Sequence, residues 1–296
     1  MYKRNIGFVV ISIVLVGLIS IFMLADGARA ESEYFSEDVT AEMSENWEMI
    51  EVAPGFTLIN NMWATEGEGT EQTIYHFDDG TYGWEWEREA TGIENPNFPE
   101  ILFGVKPWGD EEFTLDALPL RIGEIDSLEM ELDVIYDIFE DAEGEGNWNL
   151  AFELWLTKDK PAPGEDVADT ITDEVMIWFD WQDGLWDWVD PVETEAVADD
   201  DYVYEYNVSD GQWGDEGYFD GHWHYSQFRI SRPGTIPETV DLTLFLDYIQ
   251  DELDRSEDVW LGALELGMEY EDETAGMTRI RELTYEINGE YFESVE

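Results

Sequence analysis

The chain has 296 residues and a formal net charge of −59, from 72 Asp and Glu against 13 Lys and Arg. That balance argues against nucleic acid or an anionic membrane as partner, because both need positive surface. The absence of cysteine excludes disulfides and thiolate chemistry. Hydrophobic residues make up 44%, with 14 Trp, 14 Tyr and 15 Phe, so the chain can build a core and its acidity does not mean disorder. The acid is spread along the whole chain, the pattern expected of a halophilic protein: in ~1 M salt the Debye length falls to ~3 Å and self-repulsion is screened.

Lys3 and Arg4 precede an uncharged run from Ile6 to Leu24, and "GARAES" then offers Ala28-x-Ala30 as a cleavage site. Residues 1–30 read as a signal peptide, or as an uncleaved N-terminal anchor, since the run is just long enough to span a bilayer. Either way the remainder is exported, and any membrane contact runs through this segment alone. Residues 31–46 are acidic with few apolar side chains and read as a leader. Residues 47–296 form one domain.

From Trp47 onward the pattern is β. "FTLINNMW", "YGWEWER" and "SLEMELDVIY" are strand candidates; the last sets Leu128, Met130, Leu132 and Val134 on one face and Glu129, Glu131 and Asp133 on the other. "NLAFELWLT", "DEVMIWFDW", "YVYEYNV" and "HWHYSQFRI" follow, separated by Gly, Pro, Asn and Asp clusters. Next, "VDLTLFLDYIQDELD" repeats Leu242, Phe245, Leu246, Ile249 and Leu253 at helical spacing, which predicts one amphipathic helix over about 240–254. "LGALELGMEY" and "RIRELTYEI" complete the set. Many strands, one helix and no internal repeat predict an all-β fold, a jelly-roll sandwich of two antiparallel sheets.

Strand alternation sorts the acids. In "NLAFELWLT", Leu150, Phe152, Leu154 and Leu156 share the core face, leaving Glu153 and Trp155 opposite. In "DEVMIWFDW", Val175, Ile177 and Phe179 point inward, leaving Glu174, Met176 and Trp178 opposite. In "LGALELGMEY", Leu264, Leu266 and Met268 point inward, leaving Glu265, Gly267 and Glu269 opposite. Three strands thus put carboxylates beside large aromatics on a non-core face, either the lining of a ligand cleft or an edge face with scattered acids. His222 and His224 stand at i, i+2 with only His76 as a third histidine, so no metal site is expected. Asn207-Val208-Ser209 is a glycosylation triplet, a weak signal by itself.

These motifs, in this order, resemble glycoside hydrolase family 12, whose members are retaining β-1,4-endoglucanases, some of them xyloglucan-cleaving, on a β-jelly roll. "INNMWA" is similar to an Asn-Asn-x-Trp-Gly segment, with Ala64 for the glycine. "NFPEILFGVKPWG" resembles a Tyr-Pro-Glu segment, and "LPLRIGEIDSLEMELDV" a long outer strand pair. "NLAFELWLT" resembles the strand with an auxiliary acid. "DEVMIWFDW" resembles the Glu-x-Met-Ile-Trp nucleophile strand, and "ALELGMEYED" the Gly-Thr-Glu strand of the acid/base, with Met268 for the threonine. The resemblance spans about residues 47–292. It implies Glu174 as nucleophile, Glu269 as acid/base and Glu153 as the carboxyl that holds Glu174, with Glu265 on the same face as Glu269 as the alternative acid/base. Retention needs the two carboxyls ~5–5.5 Å apart. Asn61, Trp63, Met176 and Trp178 are implied as substrate contacts, with Trp84 and Trp86 as further platforms. A secreted monomer that needs no cofactor and takes a β-glucan polysaccharide is expected. A non-catalytic carbohydrate-binding sandwich is the alternative.

Overall fold

Alternation of apolar and polar residues makes strands of most of the chain, as the computed structural model describes it for residues 38–93, 95–109, 117–139, 146–182, 191–199, 202–213 and 223–295. The apolar run of residues 6–24 lies outside the described residues. The chain divides into Met1–Val39 and Thr40–Glu296, and the second unit holds the fold. The strands in order are β1 (Val39–Met43), β2 (Met49–Ala53), β3 (Phe56–Ile59), β4 (Thr70–Phe77), β5 (Tyr82–Arg88), β6 (Glu100–Gly104), β7 (Leu120–Arg121), β8 (Leu128–Ile138) and β9 (Trp148–Thr157). They continue with β10 (Ile171–Trp181), β11 (Glu193–Asp199), β12 (Tyr202–Trp213), β13 (Trp223–Ile230) and β14 (Thr239–Asp241). After helix α1 (Thr243–Asp251) come β15 (Trp260–Tyr270), β16 (Thr274–Ile287) and β17 (Glu290–Glu293).

Two sheets result. One has the order β1-β4-β5-β16-β8-β14, with β17 also paired to β16. The other has the order β11-β12-β13-β10-β9-β15-β6-β3-β2, with β7 also paired to β15. The sandwich, with one α-helix among the described residues, matches the expected fold. From β2 to β17 the described pairings are antiparallel except that of β10 with β13, which is parallel. The chain leaves β10, crosses to the sheet's edge at β11 and steps back through β12 to β13, which brings β13 alongside β10 in the same direction.

The core lies between the sheets. Leu150, Phe152, Leu154, Val175, Ile177, Phe179, Leu264, Leu266 and Met268 enter it from one side, and Ile74, Tyr82, Trp84, Met130, Ile280, Leu283 and Tyr285 are among the residues that fill it from the other. Helix α1 closes one end, with Phe245 set edge-on to Tyr204 and Phe228 at 4.9 and 5.0 Å between ring centroids.

Two boundaries depart from the sequence reading. Val39–Met43, placed in the acidic leader, is a strand on the sheet edge, where Thr40 Oγ1 donates to the His76 carbonyl at 2.9 Å. An exposed edge strand needs few apolar residues, so hydrophobicity did not reveal it. The helix is shorter than 240–254 because Thr239–Asp241 pairs with β8, spending backbone groups the helix would use. Asp241 Oδ1 then accepts the Thr243 N–H at 3.0 Å.

One buried arginine ties the far end of β15 to its surroundings. Arg88 donates Nε to Asp272 at 2.7 Å, and its other nitrogens to the carbonyls of Ile93, Asn95 and Tyr270 at 2.6, 3.0 and 3.1 Å. Removing a cation from such a site leaves a carboxylate and three carbonyls without their donor. Arg88→Met is therefore expected to cost about 3–5 kcal/mol, read as a lowered midpoint in urea unfolding with an unchanged slope.

Candidate active site

The face of the ten-stranded sheet turned away from the core carries the acids. Its pairing register sets Thr57, Leu102, Glu265, Glu153, Met176, Gln227 and Asn207 on one rung across seven strands. A rung nearer the C-terminal end of β9, Glu174 stands between Trp155 and Tyr225. Toward the other end Glu269 pairs with Asn149, and Gly267 with Ala151 and Glu100.

Glu174 accepts a hydrogen bond from Trp223 Nε1 at 2.6 Å and shares another with Glu153. Burial pushes its carboxyl up to about 7, with those two hydrogen bonds working against the rise. Burial, then the charges of Glu265 and Glu174, push Glu153 well above the ordinary carboxyl range. Two neighbouring carboxyls under one apolar wall cannot both ionise at neutral pH, so the proton of the pair stays on Glu153 and the charge falls on Glu174.

Glu269 is held twice by Asn149: the side-chain Nδ2 donates to Glu269 Oε2, and Asn149 Oδ1 accepts the Glu269 backbone N–H at 3.1 Å. Gly267 is required two residues earlier. A Cβ there would come within 2.6 Å of the Phe98 ring, which covers β15 beside the acid. The Tyr225 phenol donates to Met176 Sδ at 3.2 Å. Burial, then Glu269, Glu174 and Glu153, push that phenol up, so it stays protonated beside all three acids. The charges of both acids act on this one phenol, which reaches along the same face to Met176.

Glu265 stands apart. It is fully buried, with Lys106 Nζ at 2.9 Å, and Lys106 also pairs with Glu100 at 2.8 Å. A carboxyl closed off from solvent behind an ion pair has no route to a substrate oxygen, so Glu269 is the better placed of the two acid/base candidates. Asn61 Nδ2 donates to Glu100 Oε1 at 3.0 Å while its Oδ1 accepts the Trp63 N–H at 3.1 Å. Trp63 is 44% exposed, as a stacking platform must be.

Three expected aromatic contacts are placed otherwise. Trp84 and Trp86 are 0% and 1% exposed, on the core side of β5, with Trp86 stacked on Tyr270 at 5.0 Å. They are core residues, not platforms, because their strand belongs to the opposite sheet. Trp178 is on the predicted face but 0% exposed, packed with Ala151, Met176 and Tyr225. It stiffens the wall behind the acids rather than meeting solvent. His222 lies outside the described residues; His76 and His224 belong to different sheets. Asn207 is buried on the acid-bearing face.

Trp223, Tyr225, Asn149, Lys106 and Glu100 escaped the sequence reading. Alternation in "HWHYSQFRI" does group Trp223 with Tyr225, but only the parallel pairing of β13 with β10 sets them beside Glu174. Asn149 is detectable only through its register with Glu269.

No protein-family model matches the chain. Among solved structures, it superposes on a family 12 xyloglucanase from Bacillus licheniformis with a TM-score of 0.70, at 20% identity over 84% of this chain and 100% of the other. An endoglucanase from Rhodothermus marinus superposes with a TM-score of 0.65, at 23% identity over 86% and 100%. The fold is thus the β-jelly roll of the family 12 glycoside hydrolases. Among curated proteins, Endoglucanase S of Pectobacterium parmentieri is 24% identical over 225 residues, 72% of this chain and 75% of that one.

The raised Glu174 carboxyl also has a cost. Its folded value of about 7 lies above the ordinary 4.5, so between those values the folded state binds the proton more tightly. Stability then falls as pH rises from 4.5 toward 7. Glu174→Gln removes this penalty and is expected to raise stability at pH 8 by roughly 1–3 kcal/mol, with little gain at pH 4. Melting temperatures of the two proteins across pH check this; a gain independent of pH would contradict it.

Proposed function

We propose that the protein is a family 12 glycoside hydrolase, a retaining endoglucanase that cleaves internal β-1,4-glucosidic bonds of cellulose-type glucans, mixed-linkage β-glucan or xyloglucan. The observation that carries this reading is the placing of two motif acids, Glu174 and Glu269, on one face of the sheet, with Glu153 hydrogen-bonded to Glu174 and the Tyr225 phenol bonded to Met176 on that same face. The jelly-roll fold and the curated endoglucanase relative support it.

In this reading Glu174, ionised, attacks the anomeric carbon as the glycosidic bond breaks. Glu269 gives the leaving oxygen its proton, then takes one from the water that frees the sugar from Glu174. The Trp223 N–H and the Glu153 proton hold Glu174 in line for attack and leave it the charge of the pair. Asn61 and Trp63 hold a sugar at one side of the scissile bond, the amide toward hydroxyls and the exposed indole under the C–H face. A binding module would keep Trp63 but has no use for a proton-sharing acid pair, so the enzyme reading is preferred.

We further propose that the enzyme works in strong salt and outside the cell. A charge of −59 is a large self-repulsion at low ionic strength. Glu174→Gln should lower reducing-sugar release from barley β-glucan, carboxymethylcellulose and xyloglucan by roughly 10³-fold or more, about 4 kcal/mol of transition-state stabilisation. Wild-type activity should rise from 0.1 M toward ~2 M NaCl as repulsion is screened, and kcat/KM should increase as pH rises through about 7, where Glu174 ionises. Hydrolysis by Glu174→Gln at the wild-type rate would remove the nucleophile assignment. N-terminal sequencing of protein exported by an expressing cell should begin at Glu31 if residues 1–30 are a cleaved signal peptide; Met1 would mean an anchor.

A further inference from the structure

Beneath the proposed active site lies a second charged cluster that the reaction itself does not use. Glu100 on β6 and Glu265 on β15 are both fully buried, and Lys106, which follows β6, reaches both, at 2.8 and 2.9 Å. The cluster has an end on each side. Toward the substrate, Glu100 Oε1 accepts from Asn61 Nδ2 at 3.0 Å, and this bond fixes which way the Asn61 amide faces. Toward the nucleophile, Glu265 is paired directly opposite Glu153 in the register of β15 with β9. Glu153 in turn is hydrogen-bonded to Glu174.

We propose that Glu100, Lys106 and Glu265 are positioning residues that form a buried ion-pair relay, joining the substrate-facing Asn61 amide to the Glu153–Glu174 pair and governing the charge that pair carries. The proposal rests on the reading of Glu174 as nucleophile. The burial of the cluster makes it effective, because a charge enclosed by protein is screened far less than one in water. The groups that face Glu153 are Glu265 and Glu269 from β15, Glu174 from β10, the Tyr225 phenol from β13, and Lys106, with Glu100 behind Glu265. Among them Lys106 is the one cation. Burial opposes its charge, but Glu100 and Glu265 outweigh burial and keep it protonated. Glu265 is pushed up by burial first, with Lys106 countering and Glu100 adding to the rise, and its carboxyl is hydrogen-bonded to that of Glu100. The relay therefore presents a compensated site to Glu153 in place of a bare second carboxylate.

The two halves of the relay act on the acid pair with opposite sign. Lys106 favours the singly ionised pair, in which Glu174 is charged. Its removal should move the acidic limb of activity to higher pH. Glu265 opposes that charge. Glu265→Gln removes the carboxyl set directly opposite Glu153 and should move the limb to lower pH.

The test is the pH profile of kcat/KM on barley β-glucan, at fixed high salt, for the wild type, Lys106→Met, Glu265→Gln and the double variant. Lys106→Met is expected to move the acidic limb up by about one unit, leaving about a tenth of wild-type activity on that limb and near-normal activity well above it. Glu265→Gln should move it down, and the double variant should fall between the two. Equal loss of activity at every pH, with no movement of the limb, would mean a structural role and overturn the proposal. Should Lys106→Met fail to fold, the movement in Glu265→Gln carries the decision by its sign. Carboxyl 13C NMR titration of Glu153 and Glu174 reads the same displacement without substrate. A wild type inert on every glucan but with a displaced titration in Glu265→Gln would refute the functional reading and leave the relay standing.

Discussion

The constraint on which the site depends is the burial of carboxylates on the outer face of strands whose inner face is spent on the core. Glu100, Glu265, Glu153 and Glu174 come from four neighbouring strands, in the order β6, β15, β9 and β10. Their inner faces are spent on the core, so their outer faces must hold the acids among Trp155, Met176, Trp178 and Tyr225. A charge there is tolerated only with a partner. One ammonium, two protons retained on carboxyls and an indole N–H supply the partners. Each device lowers the cost of the next charge, and within the Glu153–Glu174 pair the charge falls on Glu174.

The rest of the sandwich serves this arrangement. Phe98 seals β15 over Gly267, Arg88 fastens the end of β15, and α1 packs aromatics beneath β12 and β13 so that Trp223 and Tyr225 stay against β10. Acidity takes two forms in this protein. The acids that dominate the net charge include exposed ones such as Glu51 and Glu87, with free access to counterions, whereas those beneath the active face are few, paired and short of protons to share. The first kind bears on solubility and salt; the second on chemistry.

Much of the fold was legible in one sequence. Alternation in Leu128–Leu132, in Leu150–Leu156 and in Val175–Phe179 correctly divided core from outer face, because period two is a local property of an extended chain. The same rule placed Glu153, Glu174, Glu265 and Glu269 together on one side. It failed for Trp84 and Trp86, since alternation names two faces without saying which is the core, and both indoles turned inward. It failed for the limits of α1 and for β1, where hydrogen bonding to a distant strand decides the outcome.

The sequence by itself determined the all-β architecture, the two faces of each central strand and the residue types able to attack and protonate a glycosidic bond. Only the tertiary structure told the candidate acids apart by their surroundings. Glu265 and Glu269 lie four residues apart on the same face of one strand and are indistinguishable by periodicity. Register separates them: Glu269 meets the Asn149 amide and the Tyr225 phenol's surroundings, and Glu265 meets Lys106, which belongs to a strand-end 159 residues earlier in the chain. The environment of a carboxyl is made by its neighbours in space, and those neighbours come from strands whose order along the chain is not their order in the sheet.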